Sequence, residues 1–156
     1  MVATNEAGDN VCTGICVIPG FDIAAAPCRQ SSLADCTAHA EMVLVRETQA
    51  RGGPAAAQGA TVYASGEPCA MCAAALFRAD VSRVVYAASQ AEMTRIMGGP
   101  TLPIAARAVL AGASRAVRVD GPWLEAEAAA VLQVAAARTR SGELRGRLAL
   151  AWPQDR

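Results

Sequence analysis

Two short clusters, His39-Ala40-Glu41 and Pro68-Cys69-Ala70-Met71-Cys72, constrain this chain more than any other feature of it. Imidazole nitrogen and thiolate sulfur are ligands that zinc favours, and three such groups leave one tetrahedral position open. That open position separates a catalytic zinc from a structural one. Residues two apart do not share a face in mid-helix, so His39 and Glu41 can meet one site only beyond the start of a helix. Thr37 is suited to N-cap a helix over Ala38–Arg51, which puts both in its first turn. Pro68 suits the opening of a second helix over Cys69–Ala79, and a thiol at a helix start has its pKa lowered by the dipole. The fold must therefore bring two helix N-termini to one point.

Each part is weak alone. Cys-x-x-Cys is compatible with a redox pair, half of a zinc knuckle, or two buried thiols. A redox pair has no use for His39, and a structural zinc site wants a fourth ligand. His39 is the only histidine, and a lone histidine is more often a satisfied polar residue than a ligand. His-x-Glu, a strand, then Pro-Cys-x-x-Cys is far more specific together, because it reproduces the zinc-deaminase signature in its strand–helix context. One Zn2+ per chain is expected on His39, Cys69 and Cys72, with Glu41 as the catalytic, proton-carrying carboxylate.

The 156 residues suit one domain, 1–156, with the more polar 141–156 as a loosely held tail. Hydrophobic residues make up 53% and charged ones 18%, as in a globular protein; much of the apolar share is alanine, and only 4% is aromatic. The 14 basic and 14 acidic side chains cancel, which argues against a face that grips a phosphate backbone and so against a nucleic-acid partner. Met1–Asn10 has no basic or apolar leader pattern, and charged residues or proline break every apolar run. No membrane association is expected, and a cytoplasmic protein is. Six cysteines in that setting point to metal or buried thiols rather than disulfides.

Val11–Ile18 reads as a strand closed by Pro19-Gly20, with Phe21–Ala26 as its returning partner. A loop over Pro27–Cys36 follows. Gly52-Gly53-Pro54 stops the first long helix. Ala60–Ser65 and Arg83–Ala88 are strands, and Gln90–Pro100 mixes a short helix with a loop. Pro103–Ala111 is a helix, Ala116–Val119 a last strand, and Leu124–Arg138 a long helix. Helices that alternate with strands favour an α/β sheet covered on both faces and opened by an antiparallel hairpin.

Thr37-Ala38-His39-Ala40-Glu41 and Gly66-Glu67-Pro68-Cys69-Ala70-Met71-Cys72 resemble the cytidine and deoxycytidylate deaminase superfamily. Glu-Pro-Cys-x-Met-Cys and the following Ser82-Arg83-Val84-Val85-Tyr86-Ala87 are most similar to its guanine deaminase and tRNA adenosine deaminase branch. The likeness runs over about Val11–Gln133 and is strongest between Asp35 and Ala88. It implies a three-layer α/β/α fold around a mixed five-stranded sheet, a homodimer, and hydrolytic deamination of an amino-substituted nucleobase or nucleoside. A guanine-like purine base or related heterocycle is favoured, then a cytosine or cytidine substrate, then a tRNA adenosine; an inactive zinc-stabilised protein is the alternative outside enzymes. Members of this branch begin with a helix ahead of the first strand, which the few residues before Val11 do not supply.

Substrate contacts are expected from the backbone near Ala40 and from Cys28, Glu67 and Glu92. In the family the second strand ends in Gly-His-Asn, and the asparagine binds the base; ungapped from His39, those positions hold Ala26, Pro27 and Cys28. A thiol cannot replace an amide that both donates and accepts. Cys36 stands where the family often has proline. Glu92 falls in the segment where guanine deaminases carry a further catalytic carboxylate. The plainer alternatives are that Glu67 caps its own helix, that Cys28 and Cys36 are loop or pocket-wall thiols, that Cys12 and Cys16 share one strand face as small core residues, and that Trp123 belongs to the core.

Overall fold

The computed structural model describes residues 13–17, 24–99 and 101–140. Cys12, the turn at Pro19-Gly20 and the tail at 141–156 lie outside these residues. Strands β1 (Thr13–Val17), β2 (Ala24–Pro27), β3 (Thr61–Gly66), β4 (Arg83–Ala88) and β5 (Arg118–Asp120) form one sheet in the order β2-β1-β3-β4-β5. The helices are α1 (Gln30–Leu33), α2 (Ala40–Gly52), α3 (Ala70–Arg78), α4 (Gln90–Met97), α5 (Ala106–Leu110) and α6 (Glu125–Arg140).

β1 is antiparallel to both β2 and β3, whereas β3–β4 and β4–β5 are parallel. β2, β3 and β4 therefore point the same way, and the segments that leave them gather at one end of the sheet. That end leads to Cys28, to Glu67–Cys69 and to Ser89–Gln90. The crevice beyond the carboxyl ends of strands is where open α/β sheets place ligands.

One face of the sheet is formed by Val62, Ala64, Val84, Tyr86 and Val119, as the pairings Val62↔Val84, Ala64↔Tyr86 and Val84↔Val119 require. Val43 and Leu44 of α2 and Leu76 of α3 close over Val62 and Val84. Ala73 of α3 with Ala106 and Leu110 of α5 close over Ala64, Tyr86 and Val119. Alternation along β3 turns Tyr63, 43% exposed, to the other side. Arg83 and Asp120 lie on that side too, paired at 2.6 Å, with Arg118 at 2.9 Å from the same carboxylate. α6 packs on β4 and α4. Among the described residues no helix is long and apolar enough to cross a membrane.

The α/β class and the strand Arg83–Ala88 stand as read from sequence, while several boundaries move. α2 starts at Ala40 with His39 as N-cap, not at Ala38 with Thr37 as N-cap. Asp35 explains the shift: its Oδ1 accepts from the Thr37 backbone N–H at 2.8 Å and from the Thr37 hydroxyl at 2.7 Å. That turn takes the hydroxyl's hydrogen, and Arg46 Nη2 donates at 3.3 Å to its oxygen, the acceptor that a cap would use. These hydrogen bonds also hold the Asp35 carboxyl below its ordinary pKa. Gly53 ends α2 as expected, with φ at 81° and its N–H donating to Gln49 O at 2.8 Å.

The stretch read as a loop contains the single turn of α1, closed by Leu33 N–H on Arg29 O at 3.0 Å. α5 is shorter than Pro103–Ala111, and the last strand lies at Arg118–Asp120 rather than Ala116–Val119, in register with Arg83–Val85. Trp123 is 60% exposed and is not a core residue.

Candidate active site

The donors stand at helix starts. His39 N-caps α2 and Cys69 N-caps α3, both with extended backbone, and their carbonyls accept the first helical bonds from Val43 and Ala73. Cys72 and Glu41 lie in the first turns of α3 and α2. A hydrogen bond from Arg29 N–H to Ala38 O at 2.8 Å ties the exit of β2 to the entry of α2, which brings Cys28 towards His39. The convergence of two helix N-termini demanded by the sequence is thus present.

The ligand atoms of His39, Cys69 and Cys72 all lie within 4.8 Å of one another, with Cys69 Sγ 3.7 Å from His39 Nδ1. The Cys72 thiol donates to Cys69, and with help from His39 this lowers the Cys69 pKa to about 4 against the opposing effect of burial. Cys72 keeps its proton for the same reason, and its own burial and the Glu41 charge push its pKa up. His39 is raised by its hydrogen bond to Cys69. Glu41, 6% exposed, is raised by burial. Zinc displaces the remaining protons when it binds, because thiolate and neutral imidazole are the ligating forms. A preformed thiolate, a second sulfur and an imidazole at this spacing fit zinc with one position left open.

A cavity of about 250 Å³ opens on this group. His39, Glu41 and Cys69 contribute its polar end, while Met93, Met97 and Leu132 supply apolar wall from α4 and α6. Gly66 lines it as well, and a Cβ there would collide with Met93 Sδ. Ala40 is buried as the first residue of α2, where helix geometry leaves backbone amides without intrahelical acceptors. Cys28 is buried in the wall and donates to Gln30 Oε1 at 3.3 Å. Cys36 is exposed.

The structure gives Glu67 a different task. It is buried and lines the cavity, but its Oε2 accepts from Gln90 N–H at 3.0 Å and its Oε1 from Ala106 N–H at 2.9 Å. It caps α4 and α5, not its own helix. Replacing it with alanine strands two buried amides at about 1–3 kcal/mol each. Urea unfolding of Glu67→Ala is therefore expected to show a loss of about 2–6 kcal/mol, and a loss under 1 kcal/mol would contradict the double-cap role. Glu92 is not part of the cavity wall. Its carboxylate is bound by Arg95 one turn on, at 2.7 Å, which also lowers its pKa.

Sequence reasoning missed Gln30, Gln90, Met93, Met97 and Leu132. Gln30 and Gln90 had a signal, since each follows the carboxyl end of a strand. The apolar wall carried none.

An α/β sheet with an open site of three zinc donors at paired helix starts defines a class of metal-dependent hydrolytic folds. The family described as the cytidine and deoxycytidylate deaminase zinc-binding region matches residues 2–88. The chain belongs to that family. It is 36% identical to a probable cytosine deaminase of Schizosaccharomyces pombe over 72 residues, 44% of each chain. It is 38% identical to a tRNA-specific adenosine deaminase of Agrobacterium fabrum over 91 residues, 56% of this chain and 60% of that protein. The chain spans about half the length of the curated deaminases it matches. Its fold is similar to that of a guanine deaminase from Nitrosomonas europaea, with a TM-score of 0.70, 24% identity, and 84% of this chain and 75% of that one covered. A tRNA:A34 deaminase that edits the wobble position gives a TM-score of 0.61 at 29% identity, with 77% and 83% covered.

Proposed function

We propose that this chain is a zinc-dependent hydrolase that converts a free amino-substituted nucleobase, a guanine-like purine or related heterocycle, to its oxo form and ammonia. The observation that carries the proposal is Glu41, a buried carboxylate outside the ligand set, in one cavity wall with the zinc donors His39 and Cys69, behind which Cys72 is fully buried. Zinc, when bound by His39, Cys69 and Cys72, supplies Lewis acidity that makes hydroxide available near neutral pH. Glu41 takes one proton of the attacking water and gives it to a ring nitrogen beside the reacting carbon as the C–O bond forms, then carries the second from the new hydroxyl to the amine as the C–N bond breaks and ammonia leaves. Amides in the first turn of α2, at Ala40, orient the base. Cys28 adds thiol surface where other members use an amide.

The cavity, at about 250 Å³, lies below the roughly 300–1,000 Å³ usual for drug-sized ligands, in keeping with one ring system. The similarity to tRNA-specific adenosine deaminases supports a second reading, in which the base belongs to tRNA. Against it, seven arginines (Arg29, Arg46, Arg51, Arg83, Arg95, Arg115 and Arg118) already sit 2.5–3.8 Å from carboxylates. They offer little charge to a phosphate backbone.

Ammonia release by zinc-loaded protein, screened over guanine, adenine, cytosine, their nucleosides and an anticodon stem-loop RNA, tests the proposal. Release from a free base is expected. Release from the RNA alone would favour the second reading and overturn the first.

A further inference from the structure

We propose that Gln90 selects which heterocycle the cavity retains, its Oε1 accepting a hydrogen bond from a ligand N–H other than the leaving amine. The inference deepens the free-base assignment and rests on it. Gln90 is the first residue of α4 and stands in the same cavity wall as His39, Glu41 and Cys69. Its backbone N–H donates to Glu67 Oε2 at 3.0 Å, and its side-chain Nε2 donates to Leu102 O at 2.8 Å. A backbone carbonyl only accepts, so the amide nitrogen must face Leu102 and the oxygen must take the other direction. Oε1 is left buried with no hydrogen-bond partner.

A buried acceptor without a partner is uncommon in a native protein and requires an explanation. Among the described residues Thr48 Oγ1 shares this condition, but Thr48 lies within α2 and outside the cavity wall. The neighbouring amide Gln30 and carboxylate Glu67 are already engaged. Gln30 accepts from the Cys28 thiol and donates to Cys36 O at 3.0 Å, and both Glu67 oxygens hold helix amides. Gln90 Oε1 is therefore the side-chain amide acceptor of this wall that holds no protein hydrogen bond, and a ligand reaches it as the side chains that bury it give way. Met93, Met97 and Leu132 offer a ring N–H nothing. A ligand with a second donor, as a lactam N–H or a second exocyclic amine, gains a bond that its analogue lacks. A site built to bind such a donor disfavours analogues without it.

Calorimetric Kd values for two pairs of ligands, measured on the zinc-loaded full chain carrying Glu41→Gln so that none is consumed and with wild type at position 90 as the reference, test this: guanine against 2-aminopurine, and 2,6-diaminopurine against adenine. The second member of each pair lacks a donor and adds no bulk. Wild type is expected to favour the donor-bearing member of at least one pair by about tenfold, the size of one neutral hydrogen bond. Gln90→Met is expected to erase that ratio with zinc content unchanged. A ratio that survives in Gln90→Met, a wild type that does not discriminate, or no binding by any of the four compounds would overturn the proposal. Ammonia release from the matching proteins with Glu41 intact separates the two claims. Selectivity that depends on Gln90 without ammonia release upholds Gln90 and removes the deaminase assignment, while release with selectivity indifferent to Gln90 does the reverse.

Discussion

Glu41→Gln is expected to stop turnover while zinc stays bound and the fold is kept. The amide matches the carboxylate in shape but cannot accept a proton from water and hand it on. General acid–base groups contribute about 10²–10⁴-fold, and one that serves several transfers belongs at the upper end. Glu41 is 6% exposed, and a neutral amide is cheaper to bury than a carboxylate. The thermal midpoint is therefore not expected to fall. His39, Cys69 and Cys72 are untouched by the change, so elemental analysis should return the wild-type zinc content. Near-normal kcat in this variant on a confirmed substrate would remove Glu41 from the mechanism, whatever the metal content.

Cys72→Ala should have the largest effect on stability. Cys72 is fully buried in the first turn of α3, and its sulfur is one of only three donors in the group. A ligand that binds only the folded state adds about 4.1 kcal/mol when present at 1,000 times its Kd, and zinc bound by two thiolates and an imidazole should reach at least that regime in zinc-containing buffer. The variant is expected to lose its zinc and about 4 kcal/mol of unfolding free energy. In excess chelator the two proteins should differ by only about 1 kcal/mol, the scale of a small core deletion. Full zinc occupancy in Cys72→Ala would defeat the ligand assignment.

The zinc donors and Glu41 were legible because their chemistry is local: each belongs to a three- or five-residue cluster whose helix start could be inferred. The start of α2 was misplaced by two residues because Asp35 and Arg46 together engage the Thr37 hydroxyl, and two plausible turn patterns competed over the same few residues. Glu67 could not be read correctly, since its partners, Gln90 and Ala106, open helices that follow other segments of the chain. Glu92 followed from family resemblance alone, and Arg95 three residues on accounts for its carboxylate. Met93, Met97 and Leu132 form a wall only because α4 and α6 pack together, which no local pattern encodes.

The most direct test is ammonia release from a confirmed substrate, measured on chelator-stripped protein as zinc is added back. Release is expected to be absent without metal, to climb in proportion to zinc, and to level off at one zinc per chain. Equal release from metal-free protein, or none at saturating zinc, would contradict a zinc-dependent deaminase built on His39, Cys69, Cys72 and Glu41.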